Sequence, residues 1–125
     1  MNEINITKTD QSRLPEVDFD DIPFGSVFSD HMFIADYRDG SWDNMRIVPF
    51  GSLSIHPALM ALHYGQSIFE GMKASVNLET GEPLLFRPEM HADRLNTSAR
   101  RLCMPEFPED KFVEAIHQLV SLDRD

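Results

Sequence analysis

Met72-Lys73-Ala74-Ser75-Val76-Asn77-Leu78-Glu79-Thr80-Gly81-Glu82-Pro83-Leu84-Leu85-Phe86-Arg87-Pro88-Glu89 reads as strand, turn, strand and helix start. Met72 to Val76 is strand-like, Asn77 to Glu82 holds turn formers, and Pro83 to Arg87 runs back, which predicts a hairpin with the Lys73 and Phe86 regions side by side. Pro88 suits a first helical position, where its missing N–H costs nothing, and Glu89 complements the positive end of the helix dipole. Leu95, Ala99 and Leu102 continue at helical spacing, while Met90, Arg94, Thr97 and Arg101 share another face; the helix should stop before Pro105. Pro108-Glu109-Asp110 opens a second helix with Phe112, Ile116, Leu119 and Val120 along its apolar side. The fold class predicted is α+β, a small antiparallel sheet with helices packed on it.

Upstream, Ala58 to Phe69 has helical composition after the His56-Pro57 break, interrupted at Gly65, so one or two short helices are predicted. Residues 63–75, His63-Tyr64-Gly65-Gln66-Ser67-Ile68-Phe69-Glu70-Gly71-Met72-Lys73-Ala74-Ser75, combine aromatics, glycines and an acid–base pair, as the border of a part-apolar, part-ionic ligand site would. On composition alone the plainer alternative is a helix-to-strand junction with core aromatics. Arg46 to Phe50 reads as a short strand with Pro49 at an edge or at its end, and Leu53-Ser54-Ile55 as a further extended piece. Residues 27–37 hold a strand that ends in the Arg38-Asp39-Gly40-Ser41 turn, with Trp42 and Asn44 in the connection. Residues 1–21, with the like-charge run Asp18, Asp20 and Asp21, predict an acidic tail, mobile at its start, leading into one domain over 22–125.

A chain of 125 residues with 42% hydrophobic content and nine Phe can build a core. No apolar run is long enough for a membrane helix, and acids stand where a signal peptide would be basic, which predicts a soluble, cytoplasmic protein. Net charge is −10, with the acids concentrated in 1–45 and 105–125, which argues against nucleic acid. Arg87, Arg94, Arg100 and Arg101 could still hold one small anion. The single Cys103 excludes paired-thiol chemistry, and the five His show no metal-ligand spacing, so no metal is expected.

A guanidinium matches phosphate oxygens and stays charged, so an arginine of the 88–101 helix is a candidate anion holder. Spacing leaves open which one, and it favours the blander outcome, in which these arginines are solvated and pair with Glu89, Asp93 or Glu106. Gly65 to Lys73 is no phosphate loop, since five residues separate the glycines and Met72 precedes the lysine. Ser67 lies in no nucleophile elbow. Of Lys8, Lys73 and Lys111, only Lys73 is placed for a site, and a neighbouring Glu70 would keep it protonated, so its predicted role is electrostatic.

Three runs, Phe24 to Met32, Leu62 to Ala74, and Phe86 through Arg94 to Pro105, closely resemble the branched-chain amino acid aminotransferases, pyridoxal-phosphate enzymes of fold type IV. The likeness extends from about Phe24 to Asp123 and covers the family's smaller N-terminal domain. It implies amino transfer between leucine, isoleucine or valine and 2-oxoglutarate, in a homodimer using pyridoxal 5'-phosphate as electron sink. By position it implies that Arg94 grips the cofactor phosphate. It further implies that Phe24, Tyr64 and Phe69 line the substrate pocket, the tyrosine reaching toward the neighbouring subunit. Lys73 is implied to support a tyrosine supplied from further along the chain. The Schiff-base lysine is expected beyond Asp125, so no catalytic residue is expected among these 125 and the chain alone should not transaminate. Ser75 stands where the family usually has Tyr or Phe, which leaves substrate preference open. The alternatives are a D-amino acid aminotransferase, an aminodeoxychorismate lyase, or a short relative that only binds.

Overall fold

The computed structural model describes residues 3–124. Its elements are β1 (Asn5–Ile6), a 3-10 turn (Leu14–Glu16), β2 (His31–Arg38), β3 (Ser41–Pro49), α1 (Met60–Tyr64), β4 (Ala74–Val76), β5 (Pro83–Leu85), α2 (Pro88–Arg101) and α3 (Glu109–Leu122). The class is α+β, as predicted. Two compact units can be distinguished, Met1–Gly51 with Gln118–Asp125, and Ser52–His117.

In the first unit the strand order is β1-β3-β2. β2 and β3 are antiparallel, joined through Asp39 and Gly40, both at positive φ (50° and 83°), the two-residue turn whose twist matches the flanking strands. Trp42 and Asn44, assigned from sequence to the connection, lie inside β3 instead. The turn is tighter than the composition suggests, so pairing begins at once with Arg38 opposite Ser41 and Tyr37 opposite Trp42, whose rings meet edge-on at 5.2 Å. Asn44 takes φ 48°, and the register shifts between Ile34 and Asp36 on the facing strand. Asparagine tolerates this conformation, and its amide donates to Asp36 at 2.6 Å. Pro49 ends the strand, the second of the two places predicted for it.

β1 adds to the free edge of β3 in parallel, Asn5 opposite Arg46 and Ile6 opposite Ile47. Within the stretch predicted to be a tail, Ile4 is buried and Thr7 N–H donates to the Ile47 carbonyl at 2.9 Å. The predicted mobility at the very start falls on Met1 and Asn2, which lie outside the described residues. Ile47, on the central strand with a neighbour on each side, has no exposed surface.

A second anchor in this unit joins β2 to the residues following α3. Both carboxylate oxygens of Asp123 are used, Oδ2 by the backbone N–H of His31 at 2.9 Å and Oδ1 by His31 Nδ1 at 2.5 Å. Thr9 N–H donates to His31 Nε2 at 2.9 Å, so Nε2 is the acceptor and the ring proton sits on Nδ1. One buried imidazole thereby ties together three stretches far apart in sequence.

In the second unit β4 and β5 form the predicted hairpin, Ala74 opposite Leu85 and Val76 opposite Pro83. Asn77 closes its turn by accepting from Glu79 N–H at 2.9 Å and Thr80 N–H at 3.3 Å. α1 is shorter than the helical composition of 58–69 allows, because Gly65 at φ 62° ends it. Leu53-Ser54-Ile55 forms no strand. α2 begins at Pro88 as predicted, and it stops without a glycine. Cys103 adopts φ 55°, Met104 N–H reaches the Ala99 carbonyl at 2.9 Å and Cys103 N–H the Arg100 carbonyl at 3.2 Å, the paired bonds of a Schellman stop. Buried Asn96 then clasps the following connection, donating to the Phe107 carbonyl at 2.9 Å and accepting from Phe107 N–H at 2.8 Å.

Candidate functional site

α2 follows β5 after Phe86 and Arg87, and side chains of its first two turns reach the segment that precedes β4. His91 and Arg94, three apart, share a face, as neighbours on successive turns do. Both reach Glu70, on the irregular stretch between α1 and β4. Arg94 Nε donates to Glu70 Oε1 and Arg94 Nη2 to Oε2, each at 2.6 Å, a bidentate pair. His91 Nδ1 lies 2.9 Å from Oε2 and, facing a carboxylate, carries the proton there. The Glu70 side chain is only 9% exposed, whereas that of Arg94 is 63% exposed. A covered acid therefore holds one edge of a guanidinium whose remaining nitrogen, Nη1, is left to the surface.

This geometry controls protonation. Hydrogen bonding by Arg94, reinforced by His91 against the cost of burial, holds the Glu70 carboxyl down to about 2, and Glu70 in turn raises Arg94 further above its ordinary value. Because the folded value lies below the ordinary 4.5, the stabilisation from Glu70 is fully present above pH 4.5 and is lost as pH falls toward 2. Urea unfolding of the chain and of Glu70→Gln should therefore differ most above pH 4.5 and converge toward pH 2. A difference constant across that range would show that the carboxylate charge contributes nothing to folding.

The five candidates from sequence are distributed unevenly. Arg94, Tyr64, Phe69 and Lys73 belong to the second unit, and Phe24 belongs to the first, in the 24–26 turn. Arg94 pairs with an acid, as the blander outcome had it, but with Glu70 rather than Glu89, Asp93 or Glu106; Arg100 is the one that meets Glu106, at 2.6 Å. Lys73 is exposed, and the Glu70 carboxylate predicted to neighbour it is engaged by Arg94 and His91 instead. A guanidinium and an imidazole N–H presented on one helix face engage the carboxylate that the sequence placed beside a single lysine. Tyr64 and Phe69 are exposed aromatics, Phe69 at 88%, and Phe24 is exposed at 105%. None of the three is buried among the described residues. Gln66 Nε2 donates to the Leu102 carbonyl at 2.8 Å, fixing the 65–70 segment against the end of α2. The segment bearing Phe69 and Glu70 is thus held at two points.

Sequence reasoning missed His91 and the Glu70–Arg94 pairing. The available signal was the i, i+3 spacing of His91 and Arg94. A cavity of about 520 Å³ in the first unit, bordered by Lys8, Arg13, Val17, Phe19, Phe28 and Leu122, contains none of the five candidates. Among the described residues no three His, Cys, Asp or Glu side chains group to hold a metal, and no helix is long and apolar enough to cross a membrane.

Arg94 presents a planar, mostly exposed guanidinium of which Nε and Nη2 are engaged by Glu70. No protein-family model matches the chain. Among curated proteins it is similar to branched-chain-amino-acid aminotransferase 2 of Bacillus subtilis, 46% identical over 98% of this chain and 33% of that protein. The branched-chain-amino-acid aminotransferase of Mycolicibacterium smegmatis is 46% identical over 80% of this chain and 27% of its own length. Branched-chain-amino-acid transaminase 1 of Bacillus subtilis is 44% identical over 82% of this chain and 29% of its own. The chain spans about a third of the length of these relatives.

Proposed function

Because this chain is a sequence relative of the branched-chain-amino-acid aminotransferases over about a third of their length, we propose that it is the N-terminal part of such a transaminase. The proposed reaction moves the amino group between leucine, isoleucine or valine and 2-oxoglutarate, in a cytoplasmic homodimer. Pyridoxal 5'-phosphate, when bound, supplies the electron sink for this chemistry. The observation that carries the proposal is the guanidinium of Arg94, held by Glu70 along one edge and open along the other.

Each residue then has a bounded task. Arg94 binds the phosphate. Tyr64 and Phe69 present aromatic surface to the branched side chain of the substrate and exclude water from it, and their exposure supports this role, since an aromatic that fills no core remains free to line a pocket. Phe24 is proposed separately as a substrate-facing aromatic of the first unit. Lys73, directly before β4, supports a tyrosine from later in the chain. Residues 22–125 form the small domain with 1–21 leading into it, and the reactive lysine follows Asp125.

The test uses the protein carried to the length of its relatives by reading its gene past Asp125. With pyridoxal phosphate it should convert 2-oxoglutarate in the presence of leucine, faster than it acts on D-alanine or aminodeoxychorismate. Absence of any leucine-dependent glutamate would sink the assignment, and a preference for D-alanine or aminodeoxychorismate would move it to another branch of fold type IV. Arg94→Ala should weaken retention of the cofactor on dialysis by about 10- to 100-fold, the range of hydrogen bonds between charged groups.

A further inference from the structure

Glu70 is an ionised, nearly covered side chain to which the proposed function gives no task. Resting on the proposal that Arg94 takes the cofactor phosphate, we infer that Glu70 is a positioning residue, gripping Nε and Nη2 of Arg94 so that Nη1 is presented to the phosphate, with His91 bracing Glu70 in turn.

An arginine on an exposed helix face samples many rotamers, and an anion that binds it must first freeze them. A carboxylate that already holds two of the guanidinium nitrogens transfers that ordering to the folding step. Preorganisation of this kind raises affinity without adding a contact to the ligand. Glu70 can hold the plane because it is itself constrained. Its Oε1 accepts from Arg94 Nε, and its Oε2 accepts from both Arg94 Nη2 and His91 Nδ1. His91 and Arg94 rise from one helix face, so the two donors that fix the carboxylate move together. The negative charge of Glu70 opposes a phosphate, but the guanidinium stands between Glu70 and any ligand at Nη1, and His91 Nδ1 meets the same carboxylate at 2.9 Å. Orientation is therefore the larger effect, and neutralising Glu70 should weaken phosphate binding even though it removes a repulsive charge. Simple charge counting gives the opposite sign.

The experiment compares binding of pyridoxal phosphate with binding of pyridoxal, which lacks the phosphate, to the protein at the length of its relatives. Wild type should favour the phosphorylated form strongly, and Arg94→Ala should remove most of that preference. Glu70→Gln should reduce the preference at least tenfold while leaving pyridoxal binding unchanged. If Arg94→Ala leaves the preference intact, the assignment of Arg94 in the proposed function fails. If Arg94→Ala removes it while Glu70→Gln binds like wild type, binds more tightly, or loses both ligands equally, the positioning role of Glu70 is overturned. Should Glu70→Gln not fold, His91→Ala decides, with at least a threefold loss of the preference expected and an unchanged preference overturning the inference.

Discussion

Asp123→Ala is expected to destabilise the chain by about 3 kcal/mol, because it strips the acceptors from two covered donors at once. The backbone N–H of His31 and the Nδ1–H of its ring both end on this carboxylate, at 2.9 and 2.5 Å, and the His31 side chain is 6% exposed. Each orphaned donor costs roughly 1–3 kcal/mol where water cannot replace the lost partner. The ring cannot escape by moving its proton, since Thr9 N–H needs Nε2 as an acceptor. Asp123→Asn should cost about half as much, because its one carbonyl oxygen can serve one donor but not both. Urea unfolding at neutral pH measures this, and a loss under about 1 kcal/mol for the alanine variant would show that the carboxylate is not the anchor the geometry indicates. Hydrogen exchange at Thr9 should quicken in both variants, as the imidazole that accepts from it loses its fixed orientation.

Ile47→Ala should cost about 2–5 kcal/mol, the range for deleting a buried Leu, Ile or Met side chain to alanine. Ile47 is the large side chain with no exposed surface, placed on the central strand opposite Phe33 on one side and Ile6 on the other. Among the described residues of this unit, Ile4 and Met45 are buried with it. Ile47→Val removes one methylene group and should cost about 0.5–1.5 kcal/mol. Equal losses for the two variants would mean that the site relaxes around any shortened side chain.

Local chemistry decided what was legible before the fold was known. Pro88 and Glu89 mark a helix start by backbone and dipole rules that hold in any surroundings, and α2 begins there. Asp39-Gly40 and Asn77 to Gly81 mark turns for the same reason, since few residues tolerate positive φ. The end of α2 was legible only as a bound, before Pro105. Cys103 takes the conformation that glycine usually supplies, and no sequence rule selects a cysteine for it. β1 was illegible, because two residues of a polar segment become a strand only when an edge of β3 is available to pair with them.

The sequence by itself determined the α+β class, the hairpin and helix order, and the runs of residues that place the chain beside the branched-chain-amino-acid aminotransferases. These depend on neighbours a few positions apart and on the order of residue types along the chain. Tertiary structure decided the pairings. Arg94 had Glu89, Asp93 and Glu106 as possible partners nearby in sequence, yet Glu70, 24 positions away, holds it. His31 meets a carboxylate 92 positions away. Electrostatic and hydrogen-bond partners are set by distance in space and by which donors a rigid element presents together, and a helix that raises His91 and Arg94 on one face takes the Glu70 carboxylate that sequence had assigned to Lys73.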